Sequence, residues 1–540
     1  MKKGFTLIEL LAVIIILALI ALIATPMILG VIESAKKGSV ENSAYGYIDA
    51  IEHYDLLNII NQKESILKKD GTYDLTAFKD VSFKGTAPTA ACVIIKNGNV
   101  ESGSFQFEHY IVDYQNGKAK INSEKTEVKC ESVVEKVVFD ELKGVNIPQL
   151  SEGMTPIKWD SDNNEVETSV DDPEWYDYTN KKWANVKTKD GSYFVWIPRY
   201  AYKITSGYHT TTSTGAIDVK FLKGTSNETP DGTKIETSGY IAGVKDTSMH
   251  YFTHPSFKED GELGYWVAKY EASIANQNDS CNTAPNVANC NKDNLMVSFV
   301  PNTPSWRFVM IGNAYNVSFG MKDSASYGWN ANEVNTHLAT NLEWGAIAYL
   351  TYSNYGRNNE VWVNASKDSI TGCGGESSSG APFNGCPYPY DTANGQQAST
   401  TANIYGIYDL SGGSWEFTSA YIDNANSSLT SFGSSIINAN NKYKNVYFQG
   451  SNDEQTLNYE INKNFYGDAI YETSSSVDEP HTNSWNNDYS HMPNTVGPWF
   501  IRGGINTNRG FAGLFYFYGG TTGGPTSNGT FRAVVNVINN

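Results

Sequence analysis

The chain opens on an unbroken apolar run. Between Phe5 and Leu29 the only polar side chains are Thr6, Glu9 and Thr25, and Lys2 and Lys3 stand in front of them. As a helix, this run extends about 37 Å at roughly 1.5 Å per residue, enough to cross a hydrocarbon core of about 30 Å. Beyond it the period persists but the pattern becomes two-faced. Val40, Ala44, Tyr47, Ile48 and Ile51 recur at spacings of three and four, while Lys36, Lys37, Glu41, Asp49 and Glu52 fill the other side. This predicts an amphipathic continuation that packs on a sheet. The period then drops to two in Ala91 to Ile95, Ser104 to Asp113 and Lys118 to Ile121, with Asn97-Gly98 and Asn116-Gly117 supplying hairpin turns between them. The pattern divides the chain into a membrane helix over 1–30, a small head over 31–130, a linker over 131–155 and a second domain from Pro156 onward.

Composition sharpens that last boundary. All 12 tryptophans lie between Trp159 and Trp499, so the two parts are built around different cores. The region 156–540 is large for one domain, but its Gly, Asn and Ser loops enlarge a domain without demanding another core. The fold class expected is therefore α+β: a long N-terminal helix on a small antiparallel sheet, then a large irregular α+β domain. With 40% hydrophobic and 18% charged residues the chain is not disordered. Its 40 basic against 58 acidic residues, a formal charge of −18, exclude a general affinity for nucleic acid or anionic lipid. The six cysteines fall as Cys92 and Cys130, Cys281 and Cys290, Cys373 and Cys386. Sequence-local pairing is the simplest of several connectivities, and an even count behind an apolar N terminus points to an oxidising compartment. No Cys-x-x-Cys or Cys/His spacing suggests zinc.

Glu9 is the anomaly of the apolar run. A carboxylate inside a bilayer is costly and needs a partner, and a secretory signal peptide does not place an acid there. The segment Gly4-Phe5-Thr6-Leu7-Ile8-Glu9-Leu10 resembles the processing motif of type IV prepilins and pseudopilins. The resemblance implies cleavage after Gly4 by a prepilin peptidase and N-methylation of Phe5. It implies that Glu9 meets the N-terminal amine of a neighbouring subunit, and that Pro26 is the family's helix-kinking proline. The expected partners are the peptidase, other pilin subunits and the membrane. The expected location is the cytoplasmic membrane with the bulk of the chain outside, then an extracellular filament or the cell surface.

A second resemblance lies downstream. Tyr265-Trp266-Val267-Ala268-Lys269-Tyr270-Glu271, then His337 to Trp344 continuing as GAIAYL, then Ile407 to Phe417, then Ile501-Arg502-Gly503-Gly504 and Phe531-Arg532 resemble, in order, the landmarks of formylglycine-generating-enzyme-type domains. That fold is a relative of the C-type lectin fold. Thr340 or Asn341 caps the helix within the second segment. The family's enzymes use two cysteines shortly after the RGG landmark to bind copper, whereas no cysteine follows Cys386 here. An enzyme is therefore not expected, and no cofactor is; structural calcium in the long loops stays open. The closing stretch resembles the variable segment of retroelement-diversified lectin-fold proteins, which makes Asn506, Asn508, Tyr516 and Tyr518 candidate contacts for a surface glycan or protein ligand. Other constellations carry less. His250 and His254 flank no helix, Asp160 to Asn164 lacks the Gly and Glu of a calcium loop, and Trp485 to Asp488 with Glu479-Pro480-His481 departs from a lectin's sugar-binding triplets. The reading is a minor or tip pilin-like subunit that displays a binding or adhesion domain. A pseudopilin of a secretion or DNA-uptake system, and a surface-anchored enzyme of the same fold, are the alternatives.

Overall fold

The structure, a computed structural model, describes residues 6–60, 65, 67, 71–96, 98–128, 130, 138–210, 214–235, 246–257, 262–375, 381–449, 455–475, 481–493 and 495–538. The chain divides into two compact units, Met1–Val137 and Val138–Asn540.

In the first unit, helix α1 (Leu7–Ile60) runs 54 residues without interruption. Its side chains from Leu7 to Leu29 are almost all exposed, as expected where lipid is the solvent, and burial begins with Ala44, Tyr47, Ile48 and Ile51. Those four, with the half-buried Val40, were the expected apolar face. They cover a five-stranded antiparallel sheet in sequential order, β1 (Gly71–Asp74), β2 (Ala90–Lys96), β3 (Asn99–Phe107), β4 (Tyr110–Gln115) and β5 (Lys118–Ile121). The run expected over Ser104 to Asp113 is split. Glu108 takes φ 50° and turns the chain, so that Phe107 pairs with Tyr110 across a two-residue hairpin. Asn116 and Gly117, at φ 53° and 74°, make the β4–β5 turn as the Asn-Gly pair demands. Asn97 lies outside the described residues. The helix also closes the sheet edge: Ala119 N–H donates to the Tyr45 hydroxyl at 2.8 Å and Ile121 N–H to Glu41 Oε1 at 3.1 Å. The outer edge of β5 thereby finds acceptors without another strand.

The second unit holds a seven-stranded antiparallel sheet in the order Val334–Leu338, Ala533–Val537, Gly264–Ala268, Tyr193–Pro198, Asn185–Thr188, Met154–Trp159, Glu165–Glu167. The strand near the end of the sequence is inserted inside this sheet. A mixed sheet orders Asn445–Phe448, Trp415–Asp423, Trp499–Gly503, Gly513–Thr521 and Ser490–His491, with Gly529–Phe531 joining Trp415–Asp423. The buried ring system includes Trp175, Trp183, Trp196, Trp266, Trp306, Trp344, Trp485 and Trp499. The helix Asn341–Thr351 is buried nearly all round and starts with a reciprocal capping box between Thr340 and Glu343. The expected linker is shorter than 131–155. Residues 138–155 fold with the second unit because Asn146 donates to the Gly224 and Leu263 carbonyls, both at 2.9 Å, and the Gln149 carbonyl accepts from Trp266 Nε1 at 2.6 Å. All three sequence-local disulfides are present, with Cα atoms 4.7 Å apart for Cys92–Cys130, 4.9 Å for Cys281–Cys290 and 5.6 Å for Cys373–Cys386.

The helix-to-edge contacts are testable. Tyr45→Phe removes one acceptor from a backbone donor and is expected to cost about 1 kcal/mol of head stability. Faster hydrogen exchange at Ala119, with exchange within α1 unchanged, is the expected readout.

Candidate functional site

The N-terminal site is built by local chemistry. Gly4 and Phe5 lie outside the described residues, and the first described contacts belong to Thr6. Its backbone N–H donates to Glu9 Oε2 at 2.9 Å and its hydroxyl to the same oxygen at 2.8 Å, while Glu9 N–H donates back to Thr6 Oγ1 at 3.4 Å. Thr6-Leu7-Ile8-Glu9 is thus a capping box, which satisfies helix-end donors that hydrocarbon cannot. The same exchange gives the Glu9 carboxylate two donors within its own chain. Farther along, α1 passes through Pro26, which has no N–H to offer the preceding turn, and the Thr25 hydroxyl donates to the Ala21 carbonyl at 2.6 Å.

In the second unit the four ordered motifs meet, and their polar residues are buried. The Arg532 guanidinium binds Glu416 through Nε at 2.8 Å and through Nη2, and donates to the Ala268 and Tyr408 carbonyls at 2.7 and 2.9 Å. Glu271 accepts from Ser414 N–H at 2.9 Å and from the Ser305 hydroxyl, and Asp409 from Gly372 N–H and the Asn364 amide. Burial, and then the neighbouring carboxylate charges, hold Glu271 well above the ordinary carboxylate range; burial also raises Asp409 and Glu416. Lys269 Nζ is buried and donates to Asn185 Oδ1 at 2.8 Å and to the Ile404 and Gly406 carbonyls at 2.6 and 2.8 Å. Arg502 donates to the Tyr516, Asp468 and Ala469 carbonyls at 2.9, 3.1 and 3.2 Å. These residues hold segments together and are closed to solvent.

In the closing segment Phe511 is exposed and Tyr518 half-buried, while residues 512–517 are buried. Asn506 and Asn508 both brace its loop: the Asn506 amide donates to the Ser366 carbonyl at 2.9 Å, and Asn508 Oδ1 accepts from Ile505 N–H at 2.7 Å. Tyr516 is buried and Tyr518 half-buried. Around Tyr518 the structure gathers rings that sequence reasoning missed. The strand Ser490–His491 runs parallel to Gly513–Thr521, with His491 opposite Tyr518. Ring centroids lie 4.9 Å apart for His491 and Tyr518, 6.1 Å for Tyr489 and Tyr518, 5.6 Å for Tyr489 and Tyr516, and 5.1 Å for His481 and His491. The signal was present as two-residue spacing: Tyr489 and His491 repeat the phase of Tyr516 and Tyr518. Beside them Phe511 is 51% exposed, and its carbonyl accepts from Tyr489 N–H at 3.0 Å.

Two glycines permit this pairing. A Cβ on Gly513 meets Asp488 Oδ2 at 2.2 Å, and one on Gly519 meets Pro493 N at 2.1 Å. Asp488 is buried, its Oδ2 accepts from Phe515 N–H at 2.9 Å, and burial raises it well above the ordinary carboxylate range. It pins the two segments together, so the Trp485-to-Asp488 stretch supplies a brace.

The remaining candidates do not assemble. His250 is exposed while His254 is buried with its Nδ1 on the Ser256 hydroxyl, and burial lowers His254 to about 3. Asp160 turns its carboxylate onto the N–H groups of Asp162 and Asn164 at 2.9 and 2.8 Å. Among the described residues no group of three or more His, Cys, Asp or Glu is placed to hold a metal ion.

Residues 1–25 match the family model of the prokaryotic N-terminal methylation motif. No curated protein matches the chain. Among solved structures, the Major Tropism Determinant I1 variant is 10% identical, with 85% of this chain and 97% of that chain covered and a TM-score of 0.25. The U1 variant is 11% identical over 85% and 83%, with a TM-score of 0.24. Scores this low carry no argument about fold or binding. The methylation motif, with the membrane-length helix behind it, supports a type IV pilin-like or pseudopilin subunit and implies processing by prepilin peptidase and assembly with other subunits.

Two outcomes follow for the buried network. Glu416→Ala leaves the Arg532 charge buried without its partner and is expected to cost roughly 3–5 kcal/mol in thermal unfolding. Asp468 is buried, which raises it to about 7, with the nearby Glu472 carboxylate adding to the rise and Arg502 opposing it. An acid raised in the folded state destabilises as it ionises, so stability falls as pH rises from about 4 towards 7 and levels above that. Asp468→Asn should flatten the fall in Tm between pH 5 and pH 8 by several degrees.

Proposed function

We propose that this chain is a minor or tip subunit of a type IV filament whose second unit is a binding module of the C-type-lectin and formylglycine-generating-enzyme type. The reading rests on one observation: a processing motif and membrane-length helix stand before a unit that spans Val138–Asn540. A cargo of that size on every subunit crowds a dense rod, so sparse incorporation is sterically easier. The lectin-type reading draws on the four motifs occurring in order and on their polar side chains being buried and hydrogen-bonded to remote segments. Peptide processing leaves the bulk of the chain outside the cytoplasmic membrane and then on a surface filament. There it works by binding, not catalysis, and without a cofactor. The binding face is the closing segment around Tyr518, and its ligand is a surface glycan or protein.

In that arrangement the Glu9 carboxylate exchanges its Thr6 donors for the methylated amine of a neighbouring Phe5 as the subunit leaves the bilayer. The test is mass spectrometry of the N terminus in sheared surface filaments. A methylated Phe5 start in wild type, depleted in Glu9→Ala, is the expected result. Protein retained in the membrane and still beginning at Met1 counts against the whole reading, and abundant incorporation along the filament counts against a tip location.

A further inference from the structure

A disulfide stands where the chain leaves the head for the second unit. The first unit ends at Val137 and the second begins at Val138, and Cys130 is the last described residue before that boundary. Tension carried by the chain from the second unit therefore reaches the described head at Cys130. Cys130 is bonded to Cys92, 38 positions earlier, with Cα atoms 4.7 Å apart. Cys92 lies inside β2, opposite Asp74 of β1 on one side and Ser104 of β3 on the other. Residues 93–129, which include the end of β2 and all of β3, β4 and β5, thus belong to a closed covalent loop. These are also the strands that α1 holds. Its Tyr45 hydroxyl and Glu41 accept from Ala119 and Ile121 of β5, the Tyr45 ring lies 6.1 Å from Tyr114 of β4, and the Tyr47 ring lies 6.1 Å from Phe105 of β3.

We propose that the Cys92–Cys130 bridge is a mechanical shunt, which passes tension from the second unit directly into β2 and keeps β3, β4 and β5 out of the strained path. This role rests on the reading of the chain as a filament subunit with a binding module, since a module held by its ligand pulls on the head, and it adds what keeps the head folded under that pull. Without the bridge, tension runs back from Cys130 along single contacts. Val128 N–H donates to Gln106 Oε1 at 3.3 Å, and Lys125 Nζ meets the Asp113 carboxylate at 2.8 Å on the surface, where an ion pair contributes little. Asn122 follows, with its N–H on the Ile111 carbonyl at 2.8 Å and its amide on Asp113 at 2.7 Å. Behind it lies β5, a short edge strand paired only with β4 from Ile121 opposite Val112 to Lys118 opposite Gln115. A force arriving at Ile121 peels such a strand from its end, one bond after another, and takes the Glu41 and Tyr45 contacts with it. With the bridge closed, the force arrives at Cys92 in a strand that has a neighbour on each side. Every residue from Ala90 to Lys96 stands opposite β3, and Cys92 to Ile95 also stand opposite β1, so many bonds resist at once.

The experiment stretches the full chain in detergent micelles between peptide handles at its two termini, for wild type and for the double variant Cys92→Ser with Cys130→Ser. The head's unfolding event is the one whose length changes with the bridge. The variant should extend farther than wild type by about 130 Å, the 38 residues released at roughly 3.4 Å each. Its head should give way at about half the wild-type force, because an edge strand peels where an interior strand resists. A second attachment separates the path of tension from stability. With the C-terminal handle moved to the exposed Glu108-His109 turn, tension bypasses Cys130. There the same substitutions should leave the rupture force within about 20%, since a disulfide acts mainly on the unfolded chain. If the double variant does not fold, folded wild type reduced with a thiol before the pull provides the same comparison. Equal rupture forces for wild type and variant between terminal handles overturn the shunt. An equal loss of force at both attachment points also overturns it and leaves the bridge a stabiliser of the fold alone. The handles stand in for filament and ligand, so neither result depends on surface display. The filament reading falls instead if sheared surface filaments contain no peptide beginning at Phe5.

Discussion

The second unit depends on how a buried guanidinium is satisfied. Arg532 stands between two strands near the end of the sequence, yet its donors reach Glu416, the Ala268 carbonyl and the Tyr408 carbonyl. A charge taken out of water is tolerated only where opposite charge and acceptors surround it in good geometry. One side chain therefore specifies where two remote segments lie. Arg502 repeats the device on the other sheet with the carbonyls of Tyr516, Asp468 and Ala469. Between these two points the chain is free to run as long polar loops. Rings such as Trp196 and Trp266, 5.2 Å apart, fill the space they enclose.

The first unit obeys a different constraint, because α1 serves two solvents. Its first turns expose aliphatic side chains that only lipid accommodates, and its later turns bury Tyr47 and Ile51 against a water-facing sheet. Each end handles its polar groups locally. Thr6 and Glu9 satisfy one another at the start, and Tyr45 and Glu41 accept from the β5 edge near the other end. A filament subunit needs both properties. It must rest in a bilayer alone and then give up that environment for contact with its neighbours.

Function thus separates along the chain. The methylation motif occupies residues 1–25, where a few residues in contiguous sequence suffice. Recognition, as proposed, occupies a face assembled from two segments that meet because Gly513 and Gly519 lack side chains. The landmark residues Lys269, Glu271, Asp409, Glu416, Arg502 and Arg532 are buried and tie remote segments of the second unit together.

Much of this was readable beforehand. The apolar run, the Ala44-to-Ile51 face, the Asn116-Gly117 turn, the three cysteine pairs and the Thr340 cap all depend on neighbours within a few turns or on short loops, so a linear pattern contains them. The division of Ser104 to Asp113 at Glu108 escaped because its residues are not the usual hairpin formers, and the folding of residues 138–155 into the second unit escaped because its hydrogen-bond partners lie far along the chain. Asn506, Asn508 and Tyr516 could be named but not placed. Their side chains share one stretch of sequence, yet two brace the loop and one is buried, and the rings that do accompany Tyr518 come from residues 481–491. By itself the sequence determined the methylation motif and the membrane-length helix, since both are local. Tertiary structure alone decided which polar groups are frame and which are surface, because burial is set by long-range packing that no short segment encodes.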